Sequence, residues 1–191
     1  MRALFAIGLL AAFAIPLMAQ APSADLKVGD PAPNFKLQAS DGKTYQLSDF
    51  KGKKPVVIAW FPKAATLGCT IECKSLAENG DKIRKYDVVY FMASVDPIED
   101  NTKFAKATTV DVIGANQKID KKEADFPILS DPTKDTARAY GVLAANGAVA
   151  QRWTFYIDKD GKISYIDKAI KPATSAEDMI ARLGELKVNH Q

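Results

Sequence analysis

The run from Pro55 to Phe61, P-V-V-I-A-W-F, constrains the fold more than any other stretch of the chain. It is almost wholly apolar, rich in β-branched and aromatic residues, and too short for a buried helix, so it reads as a strand covered on both faces. A strand of that kind belongs to a sheet with helices on either side. Pro62 ends the run. From about Thr66 to Tyr86, Leu76, Ala77 and Ile83 then recur at helical spacing among Lys, Glu and Asp, with Gly80 breaking the period. Val88 to Ser94 is the next buried strand. Asp96-Pro97 reads as an N-cap with proline in the first helical position, opening a helix to about Lys106. Strand, helix, strand, helix implies parallel crossover units, hence an α/β class with a central sheet flanked by helices.

The flanking segments fit that frame. Phe35 to Leu37 and Thr44 to Leu47, joined across Ser40-Asp41-Gly42, predict an N-terminal β-hairpin, and Ser48-Asp49-Phe50 caps a short helical turn. Phe126 to Leu129 reads as a short strand, and Asp131-Pro132 as the start of a helix ending at Tyr140-Gly141. Trp153 to Ile157 and Ile163 to Ile166 form a second hairpin. Ser175 caps a final amphipathic helix to Lys187, with Ile180, Leu183 and Leu186 on one face. Residues 108–124 show no sustained period and are expected to be a surface loop. Trp60 and Trp153 read as core and site-wall residues.

At 191 residues, 47% hydrophobic and 26% charged, the chain is expected to form one globular domain over residues 22–191. The formal charge of +3 is dispersed without a basic block, which argues against nucleic-acid binding. Residues 1–21 read as a cleaved secretory signal. Arg2 precedes an apolar run from Ala3 to Met18, and Ala19-Gln20-Ala21 offers small residues to a signal peptidase. Pro16 interrupts that run near the lower length limit for a spanning helix, so no stable membrane association is expected after cleavage. The expected destination is an oxidising compartment, the bacterial periplasm.

The side-chain census narrows the chemistry. The only histidine is His190, which disfavours a Cys-His dyad and a zinc site. No phosphate-cradling, serine-hydrolase or dinucleotide motif is present. What remains is the stretch Pro62 to Cys73, P-K-A-A-T-L-G-C-T-I-E-C, which holds both cysteines, Cys69 and Cys73. A thiolate is favoured at the positive end of a helix or beside a cation. Activation alone is a modest gain: moving a thiol from about 8.5 to about 6 raises its thiolate fraction at pH 7 roughly thirtyfold, or about 2 kcal/mol. An enzyme would therefore also aim donors at the reacting substrate, and the Thr66 hydroxyl and an arginine from elsewhere are candidates. Residues four apart on a helix have Cβ atoms about 5 to 6 Å apart, whereas a disulfide needs about 3.5 to 4.5 Å. Joining Cys69 to Cys73 therefore requires the first helical turn to loosen.

Pro62, Thr66 and Cys69 form P-x-x-x-T-x-x-C, which resembles the active-site signature of the peroxiredoxins. Phe61-Pro62-Lys63 and Gly68-Cys69-Thr70-Ile71-Glu72 resemble the bacterioferritin-comigratory, or Q-type, branch. Val28 to Phe35, Ile128 to Pro132, Ala139 to Val142 and Arg152-Trp153-Thr154-Phe155 with Ile157-Asp158 match further landmarks of that family in the same order. The resemblance implies a thioredoxin-like fold and a peroxidase needing no cofactor or metal. In it Cys69 attacks the peroxide bond and becomes a sulfenic acid, Thr66 holds the peroxide, Arg152 favours the thiolate and stabilises the transition state, and Pro62 shields the site. It further implies a thioredoxin-like or other thiol reductant as partner, and a monomer or weak dimer. Two features depart from the branch. Its resolving cysteine stands five residues after the peroxidatic one, where this chain has Lys74 and carries Cys73 one place earlier. Residues 108–124 also look longer than the usual connection. Cys73 is thus a candidate resolver or a buried bystander. C-x-x-x-C also resembles the Sco-type copper chaperones, although their distant histidine has no counterpart before His190. A structural disulfide in an inactive binding domain is the third alternative, and a thiol-disulfide protein using C-x-x-x-C the fourth, although the usual C-x-x-C of such reductases is absent.

Overall fold

The computed structural model describes residues 25–191, and the expected signal segment lies outside them. Two strands, β1 (Lys36–Ala39) and β2 (Thr44–Gln46), form the N-terminal hairpin, with Lys36 opposite Gln46 and Gln38 opposite Thr44. A 3-10 turn at Leu47–Asp49 precedes β3 (Val56–Trp60), every residue of which is buried. Next come α1 (Leu67–Glu78), the one-turn α2 (Gly80–Ile83), β4 (Val89–Ser94) and α3 (Ile98–Lys106). β5 (Thr109–Asp111) and β6 (Lys118–Asp120) pair only with each other. The chain finishes with β7 (Ile128–Ser130), α4 (Asp135–Ala139), β8 (Thr154–Ile157), β9 (Ile163–Asp167) and α5 (Ser175–Glu185).

Seven strands make one mixed sheet in the order β2-β1-β7-β4-β3-β8-β9. β3 and β4 are parallel, as are β4 and β7, while β8 runs antiparallel to β3. Alternation along β3 divides the core into two layers. Val56, Ile58 and Trp60 join Phe91, Leu129, Tyr140 and Phe155 on one face. Val57, Ala59 and Phe61 join Tyr90, Met92, Ile128 and both cysteines on the other. Trp60 is a core residue as expected, and Trp153 packs partly buried against the same cluster on the face away from the cysteines, so the site-wall expectation does not hold.

Several local expectations are corrected, each for a tertiary reason. Pro97, not Asp96, occupies the cap position of α3. The Asp96 carboxylate instead accepts hydrogen bonds from the Ala64 N–H at 2.8 Å and the Ser94 hydroxyl at 2.9 Å. The helix expected from Asp131 begins only at Asp135, because Asp131 Oδ2 reaches forward to the Ala137 N–H at 2.7 Å over a loop in which Lys134 is left-handed. Ser175 lies inside α5, whose cap position is Thr174 after a 3-10 turn at Pro172–Thr174. Residues 108–124 hold a β-hairpin, not a plain loop. It is tied to the rest of the molecule: Ile113 N–H donates to Ala65 O at 2.8 Å and Lys74 Nζ to Asp120 O at 2.6 Å.

Candidate active site

Both cysteines sit on α1, which starts where the chain turns back after leaving the end of β3. The intervening loop is pinned from below. Phe61 N–H donates to Ala93 O, and the Ala64 N–H bond to Asp96 continues through Ser94 and Asn101, whose Nδ2 reaches Ser130 Oγ at 2.8 Å. This network is buried, so the bonds it makes are not exchanged with water. Ala65 adopts a left-handed φ of 59°, costing about 1 kcal/mol, and turns the chain into the helix. Pro62 lies half-buried at the head of the loop and Thr66 at its foot, in the cap position of α1. Thr66 Oγ1 donates to Lys63 O at 2.9 Å, so its hydroxyl proton is committed and its lone pairs are what it can offer a substrate. The expectation of Thr66 as a donor is corrected to that extent. A cavity of about 390 Å³ opens beside the loop, lined in part by Lys63, Ala64, Ala65, Phe104, Val110 and Ile113.

Cys69 falls in the first turn of α1 and is fully buried. The first intrahelical bond runs from Thr70 N–H to Thr66 O, so the amides before it have no helical acceptor. Arg152 reaches the sulfur from eighty-three residues further along the chain. It stands just before β8, where Trp60 N–H donates to Trp153 O at 2.9 Å and locks that backbone against β3. Its Nη2 donates to Cys69 Sγ at 3.1 Å, and its Nη1 pairs with Glu72 Oε2. Glu72 lies three residues after Cys69, on the same helical face, and is 1% exposed. Burial pushes its carboxyl up to about 7, against the pull of Arg152, which lowers it. Gly68 leaves room for the same approach, since a Cβ there would meet Arg152 Nη2 at 3.0 Å.

Cys73 lies one turn further along and is also fully buried, and both thiols are free. Burial pushes its thiol up to about 12, with Lys121 pulling it down and Glu72, Cys69 and Asp125 pushing it up.

The structure thus brings Cys69 and Arg152 into contact, puts Thr66 at the same helix start and sets Cys73 four residues on. Glu72, Gly68, Asp96 and Lys121 are site residues that sequence reasoning missed. Gly68 and Glu72 lie in the stretch that resembles the Q-type branch, and the i, i+3 spacing from Cys69 is a further signal for Glu72; for Asp96 and Lys121 no local pattern points to the site. Among the described residues there is no group of three or more side chains suited to hold a metal ion. His190, the histidine that the copper alternative would need, packs against Tyr86 with ring centroids 4.4 Å apart and the rings tilted by 34°.

The sequence profile of the AhpC/TSA family matches residues 28–166. Peroxiredoxin Bcp of Escherichia coli strain K12 is 32% identical over 147 residues, which cover 74% of this chain and 85% of that protein. The chloroplastic peroxiredoxin Q of Triticum aestivum is 32% identical over 139 residues, 72% of this chain and 57% of that one. Among solved structures, peroxidoxin BcpB from Mycobacterium tuberculosis superposes with a TM-score of 0.69 at 26% identity, over 84% of this chain and 98% of that chain.

Proposed function

The chain belongs to the AhpC/TSA family, and from that premise we propose that it is a thiol-dependent peroxidase with Cys69 as the peroxidatic residue. The observation that carries this reading is the 3.1 Å contact of Arg152 Nη2 with Cys69 Sγ, held by the Arg152–Glu72 ion pair. A guanidinium there stabilises negative charge on sulfur in the resting site and on the peroxide oxygens as they separate. The Cys69 thiolate attacks one oxygen of the hydroperoxide and the O–O bond breaks. Sulfur keeps the attacked oxygen as a sulfenic acid, and the departing oxygen takes a proton and leaves as an alcohol or water. Thr66 accepts a hydrogen bond from the peroxide, and Pro62 limits the entry of water.

Cys73 resolves the sulfenic acid as an intramolecular disulfide. Both sulfurs are buried on a continuous helix, so the first turns of α1 unwind before the bond closes. A thiol reductant, thioredoxin-like in this proposal, then supplies two electrons to restore the dithiol. Export to a bacterial periplasm, suggested by the N-terminal sequence, belongs to the same proposal and would place the cycle where disulfides persist.

Stopped-flow oxidation by hydrogen peroxide tests the assignment with wild type, Cys69→Ser and Cys73→Ser. The expected loss in Cys69→Ser is at least about a thousandfold, since no other nucleophile replaces the thiolate. Cys73→Ser is expected to react once and then accumulate sulfenic acid. A Cys69→Ser protein that consumes peroxide as fast as wild type would end the peroxidase reading. Tight stoichiometric copper binding with negligible peroxide reactivity would favour the chaperone alternative.

A further inference from the structure

Among the described residues Lys121 is the only buried lysine, 5% exposed, and it stands one residue beyond β6. Its Nζ donates to Ala105 O at 3.2 Å and Lys122 O at 3.1 Å and lies 5.4 Å from the centre of the Phe104 ring. No carboxylate of the described residues lies within 4.0 Å of it. An ammonium buried on carbonyls alone is costly, and an apolar side chain of equal length would fill the space at lower cost. Its location suggests what the charge is for. Lys74 Nζ bonds Asp120 O, which sets the pair Asp120-Lys121 against the pair Cys73-Lys74. Phe104 and Ala105, which hold the ammonium, belong to the same packed cluster as Cys73.

We propose that Lys121 is a positioning residue for the resolving step, its buried ammonium stabilising the Cys73 thiolate as that sulfur attacks the Cys69 sulfenic acid. The inference rests on the reading of Cys69 as the peroxidatic residue. In the step, the Cys73 sulfur forms the S–S bond and the S–O bond of Cys69 breaks. The oxygen leaves as hydroxide and takes up the proton that Cys73 gave up, so water is the product. Cys73 sulfur is oxidised and Cys69 sulfur reduced. The charges around Cys73 favour this assignment: burial raises the thiol, Lys121 exerts the largest opposing pull, and Glu72 and Cys69 on α1 and Asp125 beyond β6 act against it. Reciprocally, burial lowers Lys121 while Cys73 and Glu123 raise it.

The test compares Lys121→Met, which removes the charge at similar length, with Lys121→Arg, which keeps it. Closure of the disulfide is followed after a pulse of peroxide. In a second arm Ellman's reagent is used: Cys69 takes the aryl thiol as a mixed disulfide, and release of the second thionitrobenzoate reports attack by Cys73. Loss of a neighbouring cation raises a thiol by about 2 units and leaves about a hundredfold less thiolate, of which about tenfold is recovered in intrinsic nucleophilicity. Lys121→Met is therefore expected to close about tenfold more slowly at pH 7, with its pH profile moved upward, and Lys121→Arg to regain most of the rate. Closure at the wild-type rate with an unchanged pH profile in Lys121→Met overturns the proposal. So does equal slowing in Met and Arg variants without a shift in profile, the mark of a purely structural pin. If the Met variant fails to fold by circular dichroism, Lys121→Gln, which can still donate to the same carbonyls, carries the same comparison. A slowed second release with Ellman's reagent in a protein that does not react with peroxide would support Lys121 while removing the peroxidase reading.

Discussion

Cys69 and Cys73 lie one turn apart on the same helix and are equally buried, yet their surroundings place different charges against them. Cys69 meets a guanidinium at 3.1 Å that is itself anchored by a carboxylate. Cys73 meets packed side chains, and burial carries its thiol up to about 12 with only Lys121 as the principal opposing charge. Burial is therefore the same for the two thiols; the partner delivered by a distant segment is what differs. The first partner comes from the segment just before β8 and the second from the residue that follows the β5–β6 hairpin. Each arrives on its own element, so the two halves of the site can be altered separately.

The largest effect on this contrast is expected from the Cys69 side. Arg152→Met should lower the rate of peroxide reduction by about a hundredfold to a thousandfold, because it removes the cation facing the developing charge. Arg152→Lys should recover little of it, since one ammonium cannot serve both Cys69 and Glu72 as the forked guanidinium does. A Met variant as fast as wild type in stopped-flow would show that the 3.1 Å contact has no bearing on reactivity.

Glu72 supplies a test through stability. Its carboxyl is raised in the fold from 4.5 to about 7, so between those values the native state keeps a proton that the unfolded chain has released. Stability should therefore fall as pH rises through that window, by up to about 3 kcal/mol, and Glu72→Gln should lose this dependence. Denaturant titrations of both proteins at several pH values measure the difference. Parallel pH dependences would mean that Glu72 is ionised throughout, its pairing with Arg152 outweighing burial.

The smallest effect is expected from Gly68→Ala. The added methyl crowds the tip of Arg152, which can retreat by a few tenths of an ångström, and makes an ordinary contact with Pro172 Cγ at 3.8 Å, so the melting temperature should hardly change. The shift draws the guanidinium off Cys69, and a decrease in peroxide rate of about tenfold is expected. Loss of stability without loss of rate would indicate that Arg152 does not yield and that the helix start moves instead.

Much of this arrangement was legible in the residues. The buried strand Val56–Trp60, the parallel β4, the break in the helix at Gly80 and the two hairpins all follow from apolar period and turn chemistry, which are local properties. The caps were read less well. Asp96 and Asp131 have the right residue type for starting a helix, but their carboxylates are drawn to backbone groups elsewhere, at Ala64 and Ala137. The hairpin at 109–120 is not legible in the sequence because its strands are three residues long and expose alternate side chains, too short for a period to emerge.

By itself, then, the sequence determined a mixed sheet flanked by helices and a helix start carrying Cys69 with Cys73 four residues behind it. Burial and helical spacing are written in neighbouring residues. Only resemblance to the peroxiredoxins singled out Arg152, and nothing in the chain's pattern pointed to Lys121. Tertiary structure decided both. Arg152 lies eighty-three residues from the sulfur it touches and reaches it because β8 pairs antiparallel with β3. Lys121 reaches the neighbourhood of Cys73 because the β5–β6 hairpin is tied to α1. Such charge placements depend on which strands and helices adjoin, and no local period carries that information.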